Sequence, residues 1–346
     1  MAAHTTPFLF SLNPSELDEP SISNEEFLQS LDTIGVWLRV FAAYDSLQRY
    51  SSSESSSAQR LAALSNIYLQ LGAQLEDQAV SLVAFSIWSK NRDLVLADLF
   101  ARIVLRRAKK KAPSEVHAIL ERFNSKNRKK ITVDQRSFFQ EVAEMPDAEI
   151  VELFLGYKWR AKPSVKLIPA RHMDVWKNLP ADLRRIADSF HDAKQIPRIT
   201  AAYNKLKHGP QLVSQNPADL VRRFGTRCDH GKQLARHKWL DRVGIRLLFA
   251  GSRTRPESTE VGSAAVAPFL IDDERAVRNI FFDTMVYQAT LFQILVKMQI
   301  ALYRKESVNW GSLDKGISRI IEEAHGRSLA SKFLSLSVQP RSSAMQ

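Results

Sequence analysis

"DDERAVRNIFFDTMVYQATLFQILVKMQIALYRK", residues 272–305, is the stretch that decides the fold class. When it is wound as an α-helix, apolar residues cover most of the circumference. A helix that is apolar on all sides belongs in the interior of a protein. Asp283, Gln293 and Lys297 interrupt the apolar run too often for a membrane span. The stretch therefore predicts a central, largely buried helix with other helices packed around it.

Helical spacing of apolar residues recurs through the rest of the chain. Ser23 and Glu26 have the spacing of a capping box, and apolar residues follow at intervals of three and four from Phe27. "SSSESSS" (51–57) is predicted to be a short polar linker. The predicted helices cover residues 24–50, 57–111 with one break, 112–130, 134–156, 181–208 with a break near Pro197, 272–305 and 312–334.

Strand-like and irregular segments occupy a smaller part of the chain. Residues 157–180 hold three prolines and two tryptophans and are predicted to be a loop or an extended segment. "VGIRLLFAG" (243–251) and "AAVAPFLI" (264–271) are predicted to pair as a hairpin. The predicted fold is mostly α, a bundle of long helices with a small β-containing insertion (209–271) before the last long helix.

We divide the chain into four regions. Residues 1–23 are an irregular leader, and 24–160 form an N-terminal helical region that contains a basic segment, 101–136. Residues 161–305 hold a motif helix, the insertion and the closing helix, and 306–346 hold a short helix and a flexible tail.

The composition narrows the class of protein. Only 12 glycines in 346 residues argue against Rossmann and all-β folds, which use glycine in their turns. The single cysteine, Cys228, excludes a disulfide framework within the chain, and the N-terminus lacks the pattern of a signal peptide. We therefore expect a cytoplasmic protein without a membrane span. Its net charge of +12 favours polyanionic partners.

"YNKLKHGPQ" (203–211) ends a predicted helix with an unusual polar face. At about 100° per residue from Ile199, Tyr203 and Leu206 fall on the apolar face, whereas Asn204 and His208 fall about 140° and 180° away. Two interpretations are open: a polar helix end, where a positive histidine suits the helix dipole, or the edge of a functional site.

The motif Tyr203-Asn204-Lys205-Leu206-Lys207-His208-Gly209 resembles that of HEPN domains, helical bundles whose ribonuclease members carry Arg-Asn-x-x-x-His. Asn, His and Gly match, but Tyr203 stands where the family has its arginine. The resemblance implies an RNA-directed protein of a prokaryotic stress or defence system, which acts as a homodimer without a metal or cofactor. In a catalytic member, His208 would be the acid and base and Asn204 would orient the phosphate or ribose. The missing arginine leaves open whether the chain is a metal-independent ribonuclease.

Four other Arg-x(4–6)-His pairs occur, two of which share one histidine, and this number is hardly above what chance predicts. Arg184 and Arg185 precede His191, Arg223 precedes His230, and Arg319 precedes His325.

The basic segment is the second candidate for contact with RNA. Residues 101–136 hold twelve lysines and arginines and three acids, a local net charge of +9. Such clusters bind phosphates without reading sequence. Trp159 and Trp176 lie among further cations, an arrangement that can stack on bases but more often covers a core edge. The predicted nucleic-acid contacts are Arg106, Arg107, Lys109, Lys110, Lys111, Lys126, Arg128, Lys129, Lys130, Lys205 and Lys207.

A non-catalytic function is the alternative. A helical scaffold or regulator would use the same basic surface to dock nucleic acid or an acidic protein, and its polar helix end would be structural. Cys228, His230 and His237 lack the spacing of a zinc site, and no nucleotide-binding glycine motif occurs, so neither a metal nor a cofactor is expected.

Overall fold

The computed structural model describes residues 22–106, 130–159, 168, 173–191, 203, 206–207, 212–213, 246–249, 265–268, 274–309 and 315–324. Most of them are helical, and the strands form two small sheets. The fold class predicted from the sequence is therefore confirmed. The helices are α1 (Asn24–Ser30), α2 (Leu38–Ser51), α3 (Ser57–Trp88), α4 (Leu96–Arg102), α5 (Gln135–Glu144), α6 (Asp147–Leu155), α7 (Met173–His191), α8 (Glu274–Asn279), α9 (Tyr287–Arg304) and α10 (Lys315–Ala324).

The N-terminal helices begin where the sequence predicts. The Ser23 hydroxyl accepts a hydrogen bond from the Glu26 backbone N–H, and the Glu26 carboxylate accepts one from the Ser23 N–H, which completes the capping box. A π-helical segment, Leu31–Gly35, then separates α1 from α2, so the single helix predicted over 24–50 is wrong. Ser56 and Gln59 form a second capping box that starts α3.

Residues 103–106 form a strand rather than the end of a helix. Strand β1 (Ile103–Arg106) pairs in parallel with β2 (Ile131–Asp134), with Ile103 opposite Ile131. The helix predicted to reach residue 111 therefore ends at Arg102. Both strands contain β-branched residues, which suit a pleated surface, and a pairing between distant segments is invisible to local spacing.

Two further differences between the predicted and the observed helices involve proline. The helix predicted over 134–156 is two helices, α5 and α6, because Pro146 disfavours helical geometry at Met145. The loop predicted over 157–180 is wrong at its end, since α7 begins at Met173 and carries Pro180 in its interior. The apolar spacing of Trp176, Leu179 and Leu183, all buried, continues through this proline.

The predicted hairpin is present within the insertion. Strands β4 (Arg246–Phe249) and β5 (Ala265–Pro268) are antiparallel, and β3 (Leu212–Val213) adds a third strand beside β4. The closing helix follows as α8, a π-helical segment (Ile280–Val286) and α9 in one run.

The run Glu274–Arg304 is long and apolar enough to cross a membrane by length and composition alone. In its most apolar stretch of 18 residues, 83% of the residues are buried within the protein, as the prediction of a central helix requires. Helix α9 and α3 lie at the centre of one continuous core, which includes side chains from both the 24–160 and the 161–305 regions.

Polar contacts fix α9 against the N-terminal helices. The Trp37 indole N–H donates to Gln293 Oε1 at 3.0 Å, and the Lys297 ammonium lies 2.8 Å from Asp32 Oδ2. The side chains of both pairs are largely buried. Buried polar contacts of this kind specify one position of α9, which apolar packing alone would not do. Helix α9 is therefore held against the N-terminal helices by polar as well as apolar contacts.

Candidate functional site

The structure describes three residues of the predicted motif: Tyr203, Leu206 and Lys207, all in helical conformation. Tyr203 is buried, Leu206 packs partly buried against the core, and Lys207 is exposed. The predicted apolar face of this helix is therefore confirmed for Tyr203 and Leu206. Asn204, Lys205 and His208 lie outside the described residues, and their predicted functions stay predictions.

Tyr203 packs against the middle of α3, where a glycine makes room for it. A Cβ atom added to Gly72 would overlap the Tyr203 Cβ and ring. Only a residue without a side chain lets the ring approach the α3 backbone this closely. The position that the HEPN motif gives to arginine is thus a packing position in this chain.

The Tyr203 hydroxyl belongs to a small polar cluster with Glu76 and Lys207. It donates to Glu76 Oε2 at 2.8 Å, and Lys207 Nζ lies 3.0 Å from the same oxygen. Lys207 also lies over the Tyr203 ring, 5.1 Å from its centroid. Glu76 therefore holds both motif residues on α3.

Ionisation in this cluster is biased towards neutral tyrosine and charged lysine. Burial, together with the hydrogen bond to Glu76, raises the pKa of the Tyr203 hydroxyl. The hydrogen bond to Glu76 raises the pKa of Lys207. Tyr203 therefore supplies no positive charge to a phosphate, whereas Lys207 keeps its charge and leaves 44% of its side chain exposed.

The two arginines that precede His191 have structural partners. Arg184 donates to the Ala143 and Met145 carbonyls at 3.1 and 2.8 Å and pairs with Asp147 at 2.7 Å. These carbonyls end α5, so Arg184 joins the α5–α6 corner to α7.

Arg185 is part of a cluster that sequence reasoning missed. Its Nη1 donates to the Tyr287 hydroxyl at 2.6 Å, and this hydroxyl donates to Asp182 Oδ1 at 3.1 Å. Burial raises the pKa of Asp182, and burial together with the charge of Asp182 raises the pKa of Tyr287 above its ordinary range. In the sequence, Asp182 and Arg185 indicate only that one edge of α7 is polar. Their common partner Tyr287 lies at least 102 residues away, so local spacing does not predict the cluster.

The remaining Arg–His pairs are less completely described. Arg319 is exposed on α10 near Tyr44, whose hydroxyl donates to Glu323 at 2.7 Å. Arg223, His230 and His325 fall in segments that the structure does not describe.

Two of the predicted nucleic-acid contacts in the basic segment are described, the first and the last of them along the chain. Arg106 is the last residue of β1, and Lys130 directly precedes β2. Both are exposed, and neither forms an ion pair with another described residue. From the parallel register they lie about 13 Å apart along the strands. The other predicted contacts in this segment, Arg107, Lys109, Lys110, Lys111, Lys126, Arg128 and Lys129, lie outside the described residues.

The two-stranded sheet fixes the ends of this basic segment to the bundle. Ile103 and Val133 are buried in the core, whereas Val104 between Ile103 and Arg106 is exposed. Arg106 and Lys130, the described residues on either side of 107–129, therefore lie at the surface of the bundle.

The tryptophans flanked by cations are core residues. Trp176 is fully buried and packs edge-on against Tyr157, with 5.7 Å between ring centroids. Trp159 packs partly buried against the core. Stacking of RNA bases on Trp176 is therefore wrong, because its faces are covered.

Neither the grouping of potential metal-ligating side chains nor the comparison with known proteins identifies a further site. Within the described ranges, no group of three or more His, Cys, Asp or Glu side chains is arranged to hold a metal ion. Cys228, His230 and His237 are outside those ranges. Comparisons of the chain with protein-family models, with curated proteins and with solved structures found no match.

Proposed function

We propose that this protein binds RNA through the basic segment 101–136, with the HEPN-like helix serving binding rather than cleavage. The observation that carries the proposal is that Arg106 and Lys130, two cations of the segment of net charge +9, are exposed and form no ion pair with another described residue. Cations without protein partners keep their full charge for phosphates. A cytoplasmic location, a homodimer and a prokaryotic stress or defence setting are further parts of this proposal.

The state of Tyr203 supports binding without cleavage. A guanidinium at this position would stabilise the charge that develops on a phosphate during attack. Tyr203 is instead buried, neutral and bonded to Glu76. Lys207 keeps its charge but pairs with the same carboxylate, so the one cation in the described part of the motif already has a protein partner. His208 alone would move a proton but would leave the phosphate charge without a fixed partner.

The test is a gel of end-labelled tRNA and unstructured RNA, incubated with purified protein in EDTA at several salt concentrations. We expect a salt-sensitive shift without cutting. The double variant Arg106→Glu/Lys130→Glu should weaken binding and lower the slope of log K against log salt by about 1.4–1.8, which is about 0.7–0.9 for each lost phosphate contact. Lys90→Glu/Lys305→Glu changes the charge equally at two other exposed positions and should affect binding less.

His208→Ala separates binding from catalysis. Cutting by the wild type that His208→Ala abolishes would show a metal-independent ribonuclease and overturn the non-catalytic part of the proposal. Equal losses for the two double variants would show that total charge, rather than this segment, governs binding.

The second candidate is a scaffold or regulator that docks an acidic protein on the same surface. The anchoring of Tyr203 and Lys207 on Glu76 favours it, because this arrangement makes the motif helix a structural element. If neither RNA shifts although the protein is folded, the proposal of RNA binding is wrong. The basic segment would then be tested for binding to acidic proteins.

A further inference from the structure

Three buried glutamines, Gln74, Gln78 and Gln288, lack a full set of hydrogen bonds. Their exposed fractions are 3%, 4% and 3%. Gln74 Oε1, both amide atoms of Gln78 and Gln288 Oε1 have no hydrogen-bond partner in the described part of the chain. Buried amides are nearly always bonded, so four unpaired amide atoms need an explanation. We call these three residues the amide seam.

Two contacts place the amide seam between α3 and the closing helix. Gln74 Nε2 donates to the Met285 carbonyl at 2.9 Å, and the rings of Phe85 and Phe292 stack with 5.9 Å between centroids. Residue numbers rise in the same direction on both helices from one contact to the other. The two helices therefore run parallel along this interface.

The contacts on either side place Gln78 opposite Gln288. Gln78 lies one helical turn after Gln74 and two turns before Phe85 on the same stripe of α3. Gln288 lies one turn after Met285 and one turn before Phe292. Each glutamine thus occupies the position between the two contacts on its own helix. From this register we infer that the two side chains lie at the same level of the interface; Gln78 Nε2, Gln78 Oε1 and Gln288 Oε1 have no hydrogen-bond partner among the described residues.

Other buried glutamines of α9 have partners for both ends of the amide. Gln293 accepts from Trp37 and donates to Asp32, and Gln299 accepts from Arg92 and donates to the Phe154 carbonyl. Unpaired amides are therefore a property of the amide seam and not of glutamines on this helix in general.

We propose that Gln78 and Gln288 form a buried binding site for water, in which one or two molecules bridge the two amides between α3 and α9. Gln78 offers two N–H donors and a carbonyl, while Gln74 and Gln288 offer carbonyls. Water can donate to the carbonyls and accept from the amide, and buried water typically makes about three such bonds. All three side chains are neutral, which suits water better than an ion.

The proposal predicts coupling between the two glutamines. Gln78→Leu and Gln288→Leu should each lower Tm, by on the order of 2–4 °C, since each leaves the other amide and the water without a partner. The double variant should have a higher Tm than either single variant, because it removes both polar partners and closes the interface with apolar atoms. Gln299→Leu is the control: its partners lie elsewhere, so its effect should add to that of Gln78→Leu.

Two results would overturn the proposal. If each single leucine variant raises Tm and the changes add, the amides share no ligand. A crystal structure of the wild-type protein that resolves water provides an independent test should a variant fail to fold. Ordered water within about 3 Å of both Gln78 and Gln288 is expected; a direct amide–amide hydrogen bond between them contradicts it.

Discussion

Gly72 occupies the interior of a 32-residue helix, where glycine weakens the helix by about 0.5–1 kcal/mol relative to alanine. The ring of Tyr203 accounts for it, because a methyl group at this position would overlap the ring. We expect Gly72→Ala to lower the free energy of unfolding by about 1–2 kcal/mol despite the better helix propensity. Denaturant titration measures the change.

A second substitution tests the cause at the same contact. Tyr203→Leu removes the ring that the new methyl group meets and should cost stability by itself through lost packing and the lost bond to Glu76. Added to Tyr203→Leu, Gly72→Ala should cost less than it does in the wild type. Additive costs would show that some other neighbour of Gly72 opposes the methyl group.

Asp182 gives the fold a defined pH dependence. Burial raises the pKa of this carboxyl above its ordinary value of 3.8. As pH rises through 3.8, the unfolded chain therefore loses its proton first, and the folded state loses stability until pH exceeds the raised pKa. Asp182→Asn keeps an acceptor for Tyr287 without the charge. The variant should be more stable than the wild type at pH 7.

The gain from Asp182→Asn should shrink as pH falls towards 3.8, where the wild-type carboxyl is protonated in both states. Unfolding curves recorded at several pH values between 3.5 and 7 provide the comparison. Asp188→Asn, at an exposed position of the same helix, is the matched control. A stability difference that is constant across this range would contradict the role assigned to burial of Asp182.

At the scale of elements, Arg92 joins three parts of the bundle. Its guanidinium donates to the Leu155 carbonyl, which ends α6, and to Gln299 on α9, and it lies 4.0 Å from the centroid of the Trp88 ring on α3. Burial lowers the pKa of Arg92 to about 10. The cost of burying this cation is offset by fork-like bonds that no other side chain provides.

We expect Arg92→Leu to lower the free energy of unfolding by about 2–4 kcal/mol, because it leaves a backbone carbonyl and an amide oxygen unpaired. Arg92→Lys should recover part of the loss, since one ammonium cannot reach both acceptors while stacking on Trp88. Lys90→Ala, an exposed neighbour in the same loop, should change stability by less than about 0.5 kcal/mol. Equal losses of stability in Arg92→Leu and Arg92→Lys would contradict a role for the positive charge at this position.

Local patterns predicted those elements whose cause is local. The apolar circumference of 274–304 and the Ser23–Glu26 capping box each act within a few turns, and both are present. The pairing of β1 with β2 depends on residues 28 positions apart, and the start of α7 depends on burial of Trp176 by other elements. Tertiary packing decided these elements, so local spacing gave the wrong boundaries.

The same division holds for the candidate site. Helical spacing placed Tyr203 on an apolar face, as observed, but its partners Gly72 and Glu76 lie more than 120 residues earlier in the chain. A glycine inside a strong helix pattern is the one signal in the sequence that another element approaches closely there. The cluster of Asp182, Arg185 and Tyr287 carries no comparable signal.

At the scale of the whole molecule, the described helices share one hydrophobic core. Its members include Trp37 on the N-terminal side, Trp88 at the end of α3 and Trp176 on α7, each fully buried. Side chains of the 24–160 and 161–305 regions interleave there, so neither region buries its apolar surface alone. Elements that depend on each other for burial unfold together.

We therefore expect the helical signal at 222 nm and the tryptophan fluorescence to change at the same denaturant concentration, within error, in one transition. The variants Trp37→Phe and Trp176→Phe show how much of the fluorescence change comes from each side of the core. In both variants the fluorescence and the 222 nm signal should still change at the same denaturant concentration. If fluorescence from one side is lost at a lower denaturant concentration, the two regions unfold separately. The division at residue 160 would then mark a boundary between domains, and Arg92 and the amide seam would link helices of independent stability.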